Sequence, residues 1–339
     1  MDLDRYSRQT LLPEIGPEGQ KKLLASSVAL VGCGALGTAM ANGLTRAGVG
    51  HLKVVDRDYV ELSNLQRQVL FDEQDVAQGL PKAVAAVEKL RRINSDVQLE
   101  ALVADLNPFN VERILGDVDL VVDGTDNFEA RFLINDACLK HGRPWVYGAV
   151  IATYGVTMSI VPPHTPCLRC LLREQPPPGT VPTCDTAGVL GAAPSVIGAL
   201  EVSQALKLLV GGGQEFWGHL TQVDVWTGEW LQIQIKPDPA CPACGLGQYD
   251  FLEARGGSFV TSLCGREAVQ VNVRGEVQLS LPKLAERLAA RGQVQYNDYM
   301  LRCQVERYEI AVFPNGRAII KGTNDETEAR AVYARYIGL

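Results

Sequence analysis

Apolar residues along this chain fall into short blocks whose spacing switches between two periods. Val28-Ala29-Leu30-Val31 is a run of small β-formers that stops at Gly32-Cys33-Gly34-Ala35-Leu36-Gly37. Residues 36–49 then read as a helix with small residues on one side. A second strand, His51-Leu52-Lys53-Val54-Val55, follows directly. Upstream, residues 18–25 predict a short helix. Further on, Gly79-Leu80-Pro81-Lys82 opens a helix with Pro81 at its first position. There Val84, Val87 and Leu90 recur at three-residue steps, and Lys89, Arg91 and Arg92 are left for solvent. Residues 97–103, 118–122 and 145–150 predict strands, and 108–115 and 130–141 predict helices. This alternation implies an α/β fold, a doubly wound parallel sheet with right-handed crossovers. Ligands of such sheets sit at the carboxyl ends of the strands.

The pattern then changes. Residues 155–161 predict a strand, 195–210 a long helix rich in Ala and Gly, and 221–225 with 230–235 a hairpin turned at Thr227-Gly228. Between them Gln175 to Thr183, QPPPGTVPT, suits neither helix nor central strand and reads as a mobile connector. From about residue 256 a separate module is expected, with strands near 268–273, 294–303, 308–313 and 318–321 and helices over 281–290 and 326–336. Pro314-Asn315-Gly316 marks a hairpin turn there. The organisation expected is thus a domain over 1–250 and a small α+β module over 256–339.

Composition narrows this picture. A chain of 339 residues can bury a full core and still hold a second, smaller unit. A formal charge of -7 argues against a nucleic-acid surface. The N-terminus lacks a secretion signal, and the apolar run at 192–199 is short and broken by Pro194 and Ser195, so no membrane span is expected. Nine cysteines without such a signal fit a reducing cytoplasm, where paired cysteines more often bind metal than form disulfides.

The candidate chemistry gathers at the glycine turn. Strand, G-x-G-x-x-G and helix form a nucleotide-binding fingerprint: Gly32 permits the tight turn, Gly34 lets backbone approach a ligand, and Gly37 lets helix pack on strand. Asp56, nineteen residues past Gly37, ends the second strand where a carboxylate can accept both ribose hydroxyls. This predicts an adenine nucleotide without choosing among NAD, FAD and ATP. Arg67 and Lys82 follow, the latter in the first turn of a helix, and together they suit a triphosphate unless they are simply solvated. Asp123-Gly124-Thr125-Asp126-Asn127 follows a strand on the ligand edge. Asp126 is the expected Mg²⁺ ligand, and Asp123 can instead cap the next helix.

Two C-x-x-C pairs, Cys167/Cys170 and Cys241/Cys244, predict a structural four-thiolate Zn²⁺ site with no open coordination position. The seventy residues between them require the fold to bring two knuckles together. Cys184 stands alone between the connector and a helix. A helix start favours a reactive thiolate, Asp185 opposes it, and the residue types leave its role open. Cys33 and Cys138 read as small packing residues. His51, His141, His164 and His219 form no sequence dyad with Ser or Cys and read as structural or surface residues.

Taken together, RYSRQ at 5–9, GCGALG at 32–37, VVDRDYVELSNLQRQ at 54–68, GLPKA at 79–83, DGTDNFEAR at 123–131 and the two C-x-x-C pairs, in that order, resemble the ThiF/MoeB/HesA adenylyltransferases, relatives of ubiquitin-activating enzymes. The resemblance covers about residues 4–250. It implies a Rossmann-like, mostly parallel sheet with a zinc-stabilised antiparallel extension. It also implies ATP and Mg²⁺ as cofactors, a homodimer, and adenylylation of the C-terminal glycine of a ubiquitin-like sulfur-carrier protein. Position by position, it implies that Gly34 lines the nucleotide, Asp56 holds the ribose, Asn64, Arg67 and Lys82 contact phosphates, and Asp126 binds Mg²⁺. Arg8 matches an arginine that reaches the partner subunit's phosphates, and Cys184 matches a position that forms a covalent sulfur link in some members. Eukaryotic relatives append a rhodanese domain, whose catalytic spacing Cys264-Gly265-Arg266 does not match, and no glycine-lined loop follows Cys303. The module is therefore expected to dock or support a dimer rather than transfer sulfur. Other readings are an NAD(P)-dependent oxidoreductase on the same fold, a non-catalytic carrier-binding scaffold, and adenylation of a peptide or a tRNA base.

Overall fold

The computed structural model describes residues 3–177, 180–214, 217–253, 260–263, 267–273 and 277–338. The chain opens with α1 (Ser7–Thr10) and α2 (Gly16–Ala25), then β1 (Ser27–Val31), α3 (Ala35–Ala47) and β2 (His51–Asp56). A 3₁₀ turn at Leu62–Asn64 leads to α4 (Glu73–Gln78), α5 (Lys82–Ile93), β3 (Gln98–Val103), α6 (Val111–Leu115), β4 (Leu120–Asp123), α7 (Phe128–Lys140) and β5 (Trp145–Ile151). Next come β6 (Tyr154–Ile160), α8 (Leu168–Leu171), α9 (Cys184–Ala187), α10 (Ala192–Val210), β7 (His219–Asp224), β8 (Glu229–Gln234) and α11 (Asp250–Glu253).

These strands form one sheet in the order β3-β2-β1-β4-β5-β6-β7-β8. The first five are parallel, and the last three add an antiparallel extension. Strand order reverses beside β1, between β2 and β4, which opens a crevice at their carboxyl ends. Two apolar cores flank the sheet, because strands buried on both faces send alternate side chains each way. Val28, Leu30, Leu52 and Val54 pack under α3, α5 and α10, while Ala29, Val31, Val55 and Val121 pack under α6 and α7.

Local chemistry sets several ends differently from the sequence reading. Gly48, at φ +81°, closes α3 in the left-handed conformation. Pro81 is the residue before α5 rather than its first, so Lys82 opens the helix. Lys89 is not left for solvent: it pairs with Asp72 and, at 2.7 Å, with Asp75. By length and composition α10 is apolar enough to cross a membrane, unlike the shorter run read from the sequence. It packs on α3, β5 and β6, and about 33% of that apolar window is buried.

The remaining elements are β9 (Val260–Leu263), β10 (Ala268–Val271), α12 (Leu281–Ala289), β11 (Gln293–Tyr296), β12 (Leu301–Val305), β13 (Tyr308–Val312), β14 (Ala318–Lys321) and α13 (Glu326–Tyr336). Their sheet runs β11-β12-β13-β14-β10-β9, and every pairing is antiparallel. The single strand expected over 294–303 is two, because Asn297 closes a turn by accepting the N–H groups of Tyr299 and Met300. One face of this sheet packs on α12 and α13. The other meets the larger sheet through Ala268, Met300, Ala311, Phe313 and Ile319, with Tyr59 and Val103. Cys264, Gly265 and Arg266 lie outside the described residues.

Candidate functional site

The glycine turn is tight on one side and open on the other. Gly32 has φ +86°, and a Cβ there would lie 2.6 Å from the Gly124 carbonyl, so the turn and the β4–α7 loop touch backbone to backbone. The Gly32 N–H donates to Val55 O at 2.8 Å and the Gly124 N–H to Val31 O at 2.7 Å, which locks the ends of β1, β2 and β4 together. At Gly34, immediately before α3, a Cβ would meet nothing nearer than Gln68 Nε2 at 3.9 Å. That open face at a helix start is a cradle a ligand can enter.

Asp56 is buried beside this cradle. Its Oδ2 accepts the Cys33 N–H at 2.6 Å and its Oδ1 the Asp58 N–H at 2.7 Å. Burial raises its pKa, Lys82 opposes that rise, and Asp58 adds to it. Lys82 is only 3% exposed and pairs with Asp58 at 3.3 Å, so it is not a solvated surface lysine. Asn64 is also buried; its Oδ1 accepts the Glu61 N–H at 3.1 Å, which leaves its NH₂ as the part able to donate to an anion. Arg67 is half-buried and donates to Ser63 O at 2.8 Å.

On the β4–α7 loop, Asp123 does not cap the helix. Asn127 does, accepting the Ala130 N–H at 2.9 Å. Asp123 instead takes the Thr125 N–H and Oγ1–H at 2.9 and 2.7 Å and pairs with Arg131 at 3.3 Å. Burial still raises the Asp123 pKa. Asp126 is exposed and close enough to Arg57 and Arg131 to help hold both cationic. An exposed carboxylate on the ligand edge fits a Mg²⁺ ion that keeps several waters.

Several participants were not singled out from the sequence. Arg131 lies within a quoted motif, yet its role emerges only from packing: its guanidinium is buried between the Phe128 and Tyr147 rings and donates to Thr125 O at 2.6 Å. A charge on the buried side of α7 was the available signal. Arg57 and Asp105 pair at 3.0 Å beside Asp58. Glu201, on α10, is fully buried behind Gly148, and neither carboxyl oxygen has a hydrogen-bond partner among the described residues. Burial pushes its pKa well above the carboxylate range.

Two of the sequence candidates lie apart from this cluster. Arg8 is exposed on α1, whose neighbouring Gln9 donates to Ala47 O at the far end of α3. The thirteen residues of α3 separate that end from the glycine turn by roughly 18 Å. Cys184 opens the short α9, with its Sγ 3.6 Å from Val150 O near the carboxyl end of β5. The loop after it lies on the Arg67 loop, where a Cβ on Gly191 would be 2.7 Å from Gln66 O.

The two C-x-x-C pairs converge. Cys167 and Cys241 Sγ atoms are 3.6 Å apart, Cys170 and Cys244 3.4 Å, and all four lie within 4.8 Å of one another. Four thiolates with Zn–S bonds of about 2.3 Å sit about 3.8 Å from each other, so this donor set fits a tetrahedral metal. The cluster ties the start of α8 to the turn before α11.

The family model for the ThiF family matches residues 6–243, spanning the glycine turn, the acidic loop and the first three cysteines of the cluster. This chain belongs to the ThiF family. Over 338 residues it is 44% identical to a sulfur carrier protein ThiS adenylyltransferase of Bacillus subtilis, covering 98% of this chain and 99% of that one. Over 249 residues it is 44% identical to a sulfur carrier protein adenylyltransferase of Thermus thermophilus, covering 72% and 91%. Escherichia coli MccB, solved with ATP, superposes with a TM-score of 0.62 at 22% identity over 71% of this chain and 75% of that one. That likeness is one of fold. The match to the Bacillus ThiF-family relative is long enough to include the C-terminal sheet.

Proposed function

We propose that this ThiF-family adenylyltransferase transfers AMP from ATP to the C-terminal glycine carboxylate of a ubiquitin-like sulfur-carrier protein. The observation that carries this reading is the open face of Gly34 next to Cys33, whose N–H the buried Asp56 accepts in the field of the buried Lys82. Its setting, a chain 44% identical end to end to a ThiS adenylyltransferase, supplies the carrier.

In this reading Gly32, Gly34 and Gly37 shape the turn, Asp56 takes the ribose hydroxyls, and Asn64, Arg67 and Lys82 take phosphate oxygens. The carrier's carboxylate is already ionised, so no general base is required. Its oxygen attacks the α-phosphorus in line, an O–P bond forms, the bond to the β-phosphate oxygen breaks, and pyrophosphate leaves with the electron pair. Lys82, held with Asp58 rather than in water, is preorganised to meet the charge that develops, and so needs little reorganisation. Asp126 would hold Mg²⁺, which neutralises phosphate charge when bound. Arg8, remote from its own crevice, serves the nucleotide of a second copy in a homodimer. Cys167, Cys170, Cys241 and Cys244 would hold a structural Zn²⁺. Cys184, at the same sheet edge, would form its sulfur link by thiolate attack on the acyl-adenylate carbonyl, a C–S bond forming as the C–O bond to AMP breaks and AMP leaves. Residues 1–250 form the catalytic unit in this scheme, and 256–339 are an appended module.

The test is intact-mass analysis of sulfur-carrier proteins incubated with the enzyme and Mg-ATP. A carrier gaining one AMP, with equimolar pyrophosphate, is the expected product. An Asp126→Ala variant should lose carrier-dependent ATP–pyrophosphate exchange by at least about a hundredfold. Normal exchange in that variant removes Asp126 from the mechanism, and no adduct on any carrier refutes the reading.

A further inference from the structure

The C-terminal sheet grips both loops that form the nucleotide crevice. Arg317 precedes β14 and is 3% exposed. Its Nη2 donates to the Arg57 carbonyl at 2.5 Å, its Nη1 donates to Gln270 Oε1 at 3.1 Å, and its guanidinium stacks over the Phe313 ring at 3.6 Å. Gln270, on β10 and fully buried, donates to Asp105 Oδ2 at 2.6 Å, and the other oxygen of that carboxylate takes Arg57. Nearby, Tyr59 Oη donates to Glu309 at 3.1 Å and Lys321 pairs with Glu61. These contacts hold residues 57–61, the segment between Asp56 and Asn64.

The second loop is held independently. Asn297, in the turn between β11 and β12, donates through Nδ2 to Gln78 O at 3.0 Å and Gly79 O at 3.2 Å. Those carbonyls lie two to four residues before Pro81 and Lys82. One rigid sheet thus fixes the spacing between the ribose-side loop and the start of α5. Burial pulls the Arg317 pKa down to about 10, while the carboxylates of Asp105, Asp58 and Asp56 hold it up, so its charge sits in the field of the crevice.

We propose that the C-terminal module is a positioning clamp for the ATP site. Within it Arg317 sets the loop after Asp56 through the Arg57 carbonyl and the Gln270–Asp105 pair, and Asn297 sets the loop before Lys82. The proposal rests on the adenylylating function proposed above. Arg317 touches no substrate; it is a positioning residue. Removing it leaves the Arg57 carbonyl and Gln270 buried without their donor, so the loop relaxes even where the fold survives.

The test uses the full chain and reads Mg-ATP affinity by calorimetry, alongside KM and kcat from carrier-dependent exchange. Arg317→Met and Asn297→Ala should each weaken ATP binding and raise its KM about tenfold, with kcat at saturating ATP changed by no more than about twofold. Arg317→Lys, which keeps the charge and one donor nitrogen, should recover part of that loss. Arg287→Ala serves as the control: Arg287 donates to the carbonyls of Tyr336 and Ile337 in the same module and touches neither loop. It should lower the melting temperature and leave ATP affinity unchanged. Wild-type affinity in folded Arg317→Met overturns the clamp; if that variant does not fold, wild-type affinity in Asn297→Ala does so. Equal loss in Arg287→Ala also overturns it, because general loosening of the module would then explain the effect. Unmutated protein that fails to bind Mg-ATP refutes the function itself, whereas ATP-binding protein with unaffected variants rejects only the clamp.

Discussion

Adding one methyl group at either of two glycines separates folding from ligand binding. At Gly37 a Cβ would sit 2.0 Å from Gly32 O and 2.9 Å from Gly32 C. Both obstacles are backbone, so Gly37→Ala must open the turn between β1 and α3, at a cost expected above about 3 kcal/mol. At Gly34 the same methyl meets only Gln68 Nε2 at 3.9 Å, and φ is -86°. Gly34→Ala should therefore fold, losing about 0.5–1 kcal/mol from a poorer N-cap residue, or roughly 1 °C in melting temperature for a chain of 339 residues. In the proposed site, however, the methyl would occupy the space through which a phosphate or ribose approaches. Overpacking of about 1–3 kcal/mol translates to a rise of about 5- to 150-fold in the Kd for Mg-ATP. Calorimetric titration of both variants, paired with thermal melts, measures the two effects separately. Wild-type ATP affinity in Gly34→Ala would refute the cradle, and a melting loss matching that of Gly37→Ala would refute the account of the turn.

Two further outcomes follow from the structure. Stripping metal from the four-cysteine cluster, verified by elemental analysis, should lower the melting temperature by about 5 °C or more, since a cation bridging four cysteine sulfurs within 4.8 Å of one another ties distant segments together; an unchanged melt after verified metal loss would show that the metal is not structural. Asp136 accepts the Phe251 N–H at 3.0 Å, and burial lifts its pKa from 3.8 to about 6. Its protonated form is favoured by folding, so its contribution is fully present below about pH 4 and is lost as pH rises through about 6. Asp136→Asn keeps an acceptor for Phe251 without the charge. Denaturant melts should show it gaining on wild type between pH 4 and 8, by at most about 3 kcal/mol; a constant difference across that range would refute this.

Much of the architecture could be read residue by residue. The runs at Val28–Val31 and His51–Val55, the glycines between them, and the N-terminal half of α5 depend on neighbours one to four positions away, and that information is contiguous. The same is true of Asp56 at a strand end and of each C-x-x-C knuckle. Errors arose where a partner lay elsewhere in the chain. Lys89 looked solvent-bound because Asp72 and Asp75 lie a loop away, and Asp123 looked like a cap because Arg131 pairs with it only after α7 has turned.

The chain alone thus determined the alternation of strands and helices, the crevice at their carboxyl ends, the adenylyltransferase resemblance and the pairing of cysteines into two knuckles. Only the tertiary structure decided that the knuckles meet across seventy residues, that Lys82 is buried against Asp58, and that Arg317 reaches Arg57 across 260 positions. The division has a physical cause. Backbone conformation follows from local sterics and short-range periodicity, whereas burial, charge pairing and metal geometry depend on which distant segments share a volume. That information exists only once the two sheets have packed against each other.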